Sequence, residues 1–423
     1  MSQHPAGDAR LVRNLSSLLE VSKAMAAAID LDSLLAVIQS KATEVMEAER
    51  GSIFVHDEGT GTLWNRSSGG VAPGRVRVAV GTGIAGHVAK TGELLNVPDA
   101  YADPRFNPEF DRQTGFRTRS LLCAPLLGHG GTLLGVIQVL NKAGGGAFTR
   151  DDEALLEAFA SHAALALDRA RLVDAFVEKQ RFEEGLRLAR EIQMSMLPRG
   201  FPALLEAELA AEVRPARSVG GDFYDFLVDG DRLWFLVGDV SGKGVAAALF
   251  MAVAKTLFRA GIPGEPSPRT VFSQVNRELC RDNDGAMFVT AFAGCLDLGT
   301  GAVATSNAGH HPPYRLGRDG AVTKAVVPSG PPLGVSAGGE YPGGRLRLEP
   351  GEGLYLYTDG VTEAVNEQGE QFSASRLEAC LRGASGAGAG DLVRGSLAAL
   401  QEFVGASPAF DDIAVMALRY LGR

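Results

Sequence analysis

Four short acidic stretches in the second half of the chain combine aspartate with glycine. They are Gly220-Gly221-Asp222-Phe223-Tyr224-Asp225, Gly238-Asp239-Val240-Ser241-Gly242-Lys243-Gly244, Tyr357-Thr358-Asp359-Gly360-Val361 and Phe410-Asp411-Asp412-Ile413-Ala414-Val415. Most abut a short apolar run: Leu233 to Val237 leads into Asp239, Leu354 to Tyr357 leads into Asp359, and Ile413 to Leu418 leads away from Asp411. A strand fixes the residue at its end, and the turn exposes it. Several carboxylates held that way can converge on a hard cation such as Mg²⁺ or Mn²⁺, which prefers oxygen ligands. Taken singly, each stretch is an ordinary turn in which Asp serves its own backbone. Their order along one chain is what separates them from that reading.

Other stretches carry weaker chemistry. His310 and His311 invite a metal or acid–base reading, but the chain has only seven histidines and none stands at zinc-like spacing with a cysteine. Two prolines follow them, which favours a loop beside the site. Ser241 and Lys243 lie in a glycine-punctuated turn before the apolar helix expected from Val245 to Leu257. The full phosphate-loop pattern is absent, so a tight strand-to-helix turn presenting the Val240 carbonyl is the better reading.

Together with Asn307-Ala308-Gly309-His310-His311-Pro312-Pro313 and Pro331-Pro332-Leu333-Gly334, the four stretches resemble the metal-dependent (PPM-type) serine/threonine protein phosphatases, in their bacterial SpoIIE-like branch. The resemblance covers roughly residues 205–421. It implies a β-sandwich flanked by helices on both faces and a site for two ions, Mn²⁺ or Mg²⁺. By the resemblance, Asp239 bridges both ions, Asp222 and the carbonyl of Val240 complete one, and Asp359 and Asp411 complete the other. Asp412 is adjacent to Asp411 and open to confusion with it. These four aspartates are also the expected catalytic set, since two ions can activate a water for in-line attack on phosphorus. Animal relatives hold the phosphate with an arginine; neither Arg214 nor Arg217 maps onto that role.

The elements that position these residues form only part of the chain. Its 423 residues suggest two or three domains, and 45% hydrophobic residues suffice for packed cores. In the first half, Leu31 to Met46 has helical periodicity. Arg50 to Val55 and Thr62 to Arg66 flank the turn Asp57-Glu58-Gly59-Thr60-Gly61, and Leu121 to Leu127 and Thr132 to Leu140 flank Gly128-His129-Gly130-Gly131. This is an α+β pattern. With Gly81 to Gly86, Pro98 to Asn107 and Thr114 to Ser120, it resembles a GAF domain over residues 28–172. Asn141-Lys142, Phe148 and Asp152-Glu153 are similar to the signature of cyclic-nucleotide-binding GAF domains. In that family these residues mostly buttress the pocket, with the Lys and the Asp paired. Phe148 as a core plug and Thr149-x-x-Asp152 as a helix cap is the alternative, and both can hold at once.

From Asp151 to Leu197 no proline intervenes, and Pro198 stops the pattern. A continuous helix would reach about 70 Å. Apolar residues recur at Leu156, Phe159, Ala163, Ala166, Ala170, Val173 and Val177. The phase slips through Glu178 to Arg181 and resumes at Phe182, Leu186, Ala189 and Met196. Such a stripe is either a coiled-coil seam with a stutter or one helix packed partly on each domain. Leu11, Leu15, Leu18 and Met25 form a second stripe that could join a dimeric bundle. The expected organisation is a lead and helix at 1–27, the GAF domain at 28–172, a helical linker at 173–204 and the phosphatase-like domain at 205–423.

A net charge of −9 argues against a nucleic-acid partner. The longest apolar run, Val245 to Ala254, ends at Lys255 and is too short to span a bilayer. Met1 to Asp8 has no signal-peptide core and reads as a disordered lead. The four cysteines lack paired spacing, as suits reduced thiols in a cytoplasm. The expectation is a dimeric cytoplasmic phosphatase. A small molecule would bind its GAF domain, and a phosphorylated regulatory protein, by the resemblance an anti-anti-sigma STAS-type one, would be its substrate. The alternative is a non-catalytic sensor or scaffold with an inactive phosphatase fold.

Overall fold

The computed structural model describes residues 19–422, apart from 21, 26, 29, 67–74, 199, 266, 282, 284 and 285. Met1 to Asp8 and Leu11, Leu15 and Leu18 of the expected second stripe lie outside the described residues. The chain divides into two compact units between Arg181 and Phe182.

The first unit is one antiparallel sheet with helices. In chain order it holds α1 (Leu31–Val45), β1 (Ala48–Asp57), β2 (Thr62–Arg66), β3 (Arg75–Ala79), α2 (Gly83–Thr91), β4 (Leu95–Val97), α3 (Glu109–Thr114), β5 (Leu121–Leu127), β6 (Leu133–Lys142) and the start of α4 (Arg150–Met196). The strand order is β3-β2-β1-β6-β5-β4. The expected β1–β2 turn forms because Asp57 accepts hydrogen bonds from the N–H groups of Gly59 and Thr60. Alternation along the strands loads both faces. Ile53, Ile137 and Val139 pack with Ile38 of α1 and with Leu156, Phe159 and Leu167 of α4. Phe54, Leu121 and Val136 pack with Ile84 and Val88 of α2. At about 25 cal/mol per Å² of buried apolar surface, these two layers supply the main stabilisation of the unit.

Helix α4 begins at a side-chain cap, where the Thr149 hydroxyl accepts from the N–H of Asp152 at 3.3 Å. Leu156, Phe159 and Ala163 are buried, and Ala166 and Ala170 pack on the same core. The first half of the expected seam is therefore domain packing. Beyond it, Leu172, Val173, Phe176, Val177 and Phe182 are exposed.

The second unit is a two-sheet sandwich with helices outside both sheets. Its elements after α4 are β7 (Ala207–Arg214), β8 (Phe223–Asp229), β9 (Arg232–Val240), α5 (Val245–Gly261), α6 (Pro268–Leu279), β10 (Val289–Asp297), β11 (Ala302–Ala308), β12 (Tyr314–Leu316), β13 (Val322–Lys324), β14 (Ser329–Gly330), β15 (Gly343–Arg347), β16 (Gly353–Tyr357), α7 (Asp359–Thr362), α8 (Ser373–Gly383), α9 (Ala389–Val404) and β17 (Ile413–Tyr420). One sheet runs β14-β11-β10-β9-β8, with β15 also on β11; the other runs β13-β12-β16-β17-β7.

Strand β9 explains the layering. Leu233, Phe235 and Val237 meet Leu354, Leu356, Met416 and Leu418 between the sheets. The alternate residues Trp234 and Leu236 face Met251 and Phe258 of α5 and Phe272 of α6. On the far side, Tyr355, Tyr357, Val415 and Ala417 meet Leu377 of α8 and Leu392 and Leu397 of α9. A strand apolar on both faces reads as a continuous hydrophobic run, which is how these strands look in the sequence.

Candidate metal centre and sensor signature

Strand register delivers the aspartates in two pairs. In the first sheet, Phe223 of β8 stands opposite Gly238 of β9, so Asp222 falls beside Asp239. In the second sheet, Tyr357 of β16 stands opposite Val415 of β17. Asp359 just after β16 and Asp411 just before β17 thus share one end of that sheet. Thr358 joins the sheets: its hydroxyl donates to Asp222 Oδ2 at 2.6 Å and accepts from the Ala414 N–H at 2.8 Å.

The electrostatics show how crowded the four carboxyls are. Burial, then the Asp239 charge, pushes Asp222 well above the usual carboxyl range, although the Thr358 hydroxyl opposes this. Asp239 is pushed up to about 7, by burial and then by Asp359, with Asp411 and Asp412 adding to it. Asp359 is also raised, by burial and then by Asp411, against the opposing effects of His311, the Gly360 N–H and Lys243. Such a set carries full negative charge comfortably only with cations among it.

Asp411 and Asp412 have different surroundings. Asp412 is buried, and its two oxygens accept from the N–H groups of Ala216 at 2.7 Å and Gly221 at 2.6 Å. Asp411 is more open, and its Oδ2 lies 2.9 Å from Lys243 Nζ. The glycines beside them are required by close approach. A Cβ on Gly221 would meet the Val240 carbonyl oxygen at 2.8 Å, and one on Gly360 would collide with the Asp412 carbonyl oxygen.

Among the described residues, no group of three or more His, Cys, Asp or Glu side chains is arranged to hold a metal ion. The resemblance gives one ion Asp222, Asp239 and the Val240 carbonyl, and the other Asp239, Asp359 and Asp411; that second set of three carboxylates is not drawn in to metal-ligand spacing. The donor set fits hard divalent cations: it is all oxygen, and Asp222, Asp239 and Asp359 are raised by burial and then by neighbouring carboxylates.

His310 is buried, and its Nδ1 lies 2.9 Å from the hydroxyl of Thr290, the residue opposite Asp239. Burial, then His311, lowers its pKa to about 3, so the ring is neutral. Asn307 closes the loop by bonding both the N–H and the carbonyl of His310. Pro331 to Gly334 form an edge connection, with Leu333 exchanging two backbone bonds with Val289. Arg214 is paired with Glu212.

Sequence reasoning missed Gln193. This buried residue in the last turn of α4 donates to the Gly220 carbonyl at 2.6 Å and accepts from the Gly220 N–H at 3.2 Å. It thereby holds the loop that carries Asp222. Asp225, singled out only as part of its motif, is buried in an ion cluster with Lys255 and Arg259, each at 2.8 Å.

In the first unit the signature residues form a brace. Asn141 accepts from the N–H groups of Arg119 and Ser120 and donates to Glu49 and the Arg117 carbonyl. Lys142 reaches Asp152 at 3.1 Å and the Met46 carbonyl at 2.9 Å. Phe148 is in the core, and Glu153 accepts from Asn96. Burial opposes the Asp152 charge, but the Thr149 N–H and hydroxyl and Lys142 outweigh it and hold the carboxyl low. Asp152→Ala should therefore destabilise the first unit by about 2–3 kcal/mol, since Lys142 loses its partner and α4 part of its cap. Hydrogen exchange in β1 and β6 of the full chain should accelerate accordingly. Unchanged exchange would show the brace to be dispensable.

Comparison with known proteins matches these features. The family model of stage II sporulation protein E covers residues 229–421, and the GAF domain model covers 30–167. The SiaA-PP2C domain of Pseudomonas aeruginosa superposes with a TM-score of 0.52 at 25% identity, covering 57% of this chain and 98% of that one. Protein IcfG of Synechocystis sp. is 36% identical over 222 residues, which is 45% of this chain and 34% of IcfG. The dual 3′,5′-cyclic-AMP and -GMP phosphodiesterase 11 of Drosophila melanogaster is 47% identical over 118 residues, 28% of this chain and 8% of that protein. The chain thus spans about a third or less of the length of these curated relatives. Residues 229–421 thus form a SpoIIE-type domain, and a GAF domain precedes it in the chain.

Proposed function

We propose that this chain is a metal-dependent protein serine/threonine phosphatase regulated by its GAF domain. The observation that carries the reading is the cluster of Asp222, Asp239, Asp359 and Asp411, in which burial, and then neighbouring carboxylates, raise Asp222, Asp239 and Asp359. Asp239 would be shared between two Mn²⁺ or Mg²⁺ ions, with Asp222 and the Val240 carbonyl available to one and Asp359 and Asp411 to the other. Asp411 is taken as the ligand rather than Asp412, a reading supported by the hydrogen bonds that each Asp412 oxygen accepts from a backbone N–H. When bound, the ions supply an activated water and neutralise the phosphoryl oxygens. The protein's own part is placement. Thr358 orients Asp222, Asp412 and Gln193 hold the Gly220–Gly221 loop, and neutral His310 shapes the wall beside Asp239.

The substrate is a phosphorylated regulatory protein, on the family resemblance a STAS-type one. The GAF ligand is a cyclic nucleotide. The braced Asn141, Lys142, Phe148, Asp152 and Glu153 support this, as does the likeness to part of a phosphodiesterase named for cyclic AMP and cyclic GMP. The exposed stripe from Leu172 to Phe182 packs against a second copy in a homodimer. No helix among the described residues is long and apolar enough to cross a membrane, which is compatible with work in the cytoplasm.

The test is phosphate release by the full chain from phosphoserine proteins, and hydrolysis of cyclic nucleotides, each with Mn²⁺ and with chelator. Mn²⁺-dependent release from phosphoprotein alone is expected. No release from any phosphoprotein would return the chain to the scaffold reading.

A further inference from the structure

Lys243 places a cation on the carboxylate cluster. Its Nζ lies 2.9 Å from Asp411 Oδ2 and 2.8 Å from the Phe410 carbonyl, and sits 4.5 Å from the centre of the Phe410 ring. The root of the side chain is fixed. Ser241 donates its N–H to the Phe288 carbonyl, its hydroxyl accepts from the Phe288 N–H, and Gly242 and Gly244 turn the chain with φ of 84° and 82°. Phe410, a large apolar residue left 62% exposed, forms a floor for the ammonium. The Lys243 side chain is itself 33% exposed, so a solute can reach it.

Three other basic side chains of this unit, Arg214, Lys255 and Arg259, are engaged elsewhere. Arg214 is paired with Glu212, and Lys255 and Arg259 with Asp225. An ammonium has three donors, and two are directed at Asp411 and the Phe410 carbonyl. A dianionic phosphoryl group entering a nest of carboxylates needs a mobile positive partner that can turn toward it. A lysine on a flexible stem is suited to that, as a point charge without fixed geometry.

We propose that Lys243 is the residue that holds the phosphoryl group of the substrate and the phosphate released from it. The inference rests on the phosphatase reading above. In it, Asp411 is a metal ligand, so its pairing with Lys243 is exchanged for pairing between Lys243 and a phosphoryl oxygen. No covalent bond to Lys243 forms.

The experiment compares the full chain with Lys243→Met and Lys243→Arg. It measures binding of inorganic phosphate to the Mn²⁺-loaded protein, affinity for Mn²⁺ alone, and KM and kcat on p-nitrophenyl phosphate. Lys243→Met should weaken phosphate binding and raise KM by roughly ten- to a hundredfold, with Mn²⁺ affinity unchanged or tighter. Lys243→Arg should stay within a few-fold of the original. Unchanged phosphate binding in Lys243→Met, or a loss that follows weaker Mn²⁺ binding, would make Lys243 a brace for the Asp411 turn and overturn the inference. Failure of the unaltered protein to turn over any phosphoester with Mn²⁺ is a separate outcome, which removes the phosphatase reading and this inference with it.

Discussion

Asp239→Asn should lower phosphate release by on the order of 10³-fold or more, and at the same time raise the melting temperature of the metal-free protein at pH 8. The two effects share one cause. In the folded chain the Asp239 carboxyl is pushed up to about 7 from its ordinary 3.8, by burial and by the neighbouring Asp359 charge. Between those values the folded state holds a proton that the unfolded state has released. Stability of the metal-free protein therefore falls as pH climbs from about 4 to about 7, and remains low above that. The cost is roughly 4 kcal/mol, shared with Asp222, which on a unit of this size is on the order of 10 °C. Asparagine keeps the shape and can donate to Asp222, but it carries no charge. The variant should melt higher than the parent at pH 8 and at nearly the same temperature at pH 4. Mn²⁺ should raise the parent's melting temperature most at high pH and the variant's little. Calorimetric melts with chelator and with Mn²⁺ check this. A variant that keeps its turnover, or melts lower than the parent at every pH, would sink the two-ion assignment.

What the sequence disclosed and what it hid follow from where the partners lie. The strands carrying the site were legible because β9, β16 and β17 are apolar on both faces, and such runs stand out between glycine turns. The pairing of Asp222 with Asp239 was not, since it depends on Phe223 standing opposite Gly238. Asp411 and Asp412 are the same residue type in adjacent positions. Groups far away in the chain set them apart: the backbone N–H groups of Ala216 and Gly221 on Asp412, and the Lys243 ammonium on Asp411. Helix α4 was legible as a helix, but its stripe was ambiguous. A spacing of three and four residues serves packing on the home domain and a coiled-coil seam alike. Leu156, Phe159 and Ala163 turn out to serve the first. Gln193 was invisible for a further reason. Its partner is peptide backbone, and a backbone acceptor leaves no mark in the residue types.

Gln193→Ala should raise the Mn²⁺ concentration needed for half-maximal activity by about tenfold or more, with a smaller change in turnover at saturating Mn²⁺. The side-chain amide makes two bonds to one glycine, donating to the Gly220 carbonyl and accepting from its N–H. Both Gly220 and Gln193 are buried. Removing the amide leaves two backbone groups without partners in a place water reaches poorly, at a cost of about 1–3 kcal/mol each. The loop can recover by moving outward to solvent, which draws Asp222 away from Asp239. The remaining anchor, the Gly221 N–H on Asp412, restrains that movement without preventing it. Gln193→Glu is the sharper variant. It keeps an acceptor for the Gly220 N–H but sets a carboxylate oxygen against the Gly220 carbonyl, and adds charge near an already acidic cluster. It should be at least as impaired as alanine. Gln180→Ala, at an exposed position on the same helix, should change nothing. Mn²⁺ titrations of activity, paired with calorimetric Mn²⁺ binding, separate a loosened site from a misfolded one. If Gln193→Ala binds Mn²⁺ as the parent does, the last turn of α4 only packs against the loop, and Asp222 is placed by Thr358 and the β8–β9 register alone.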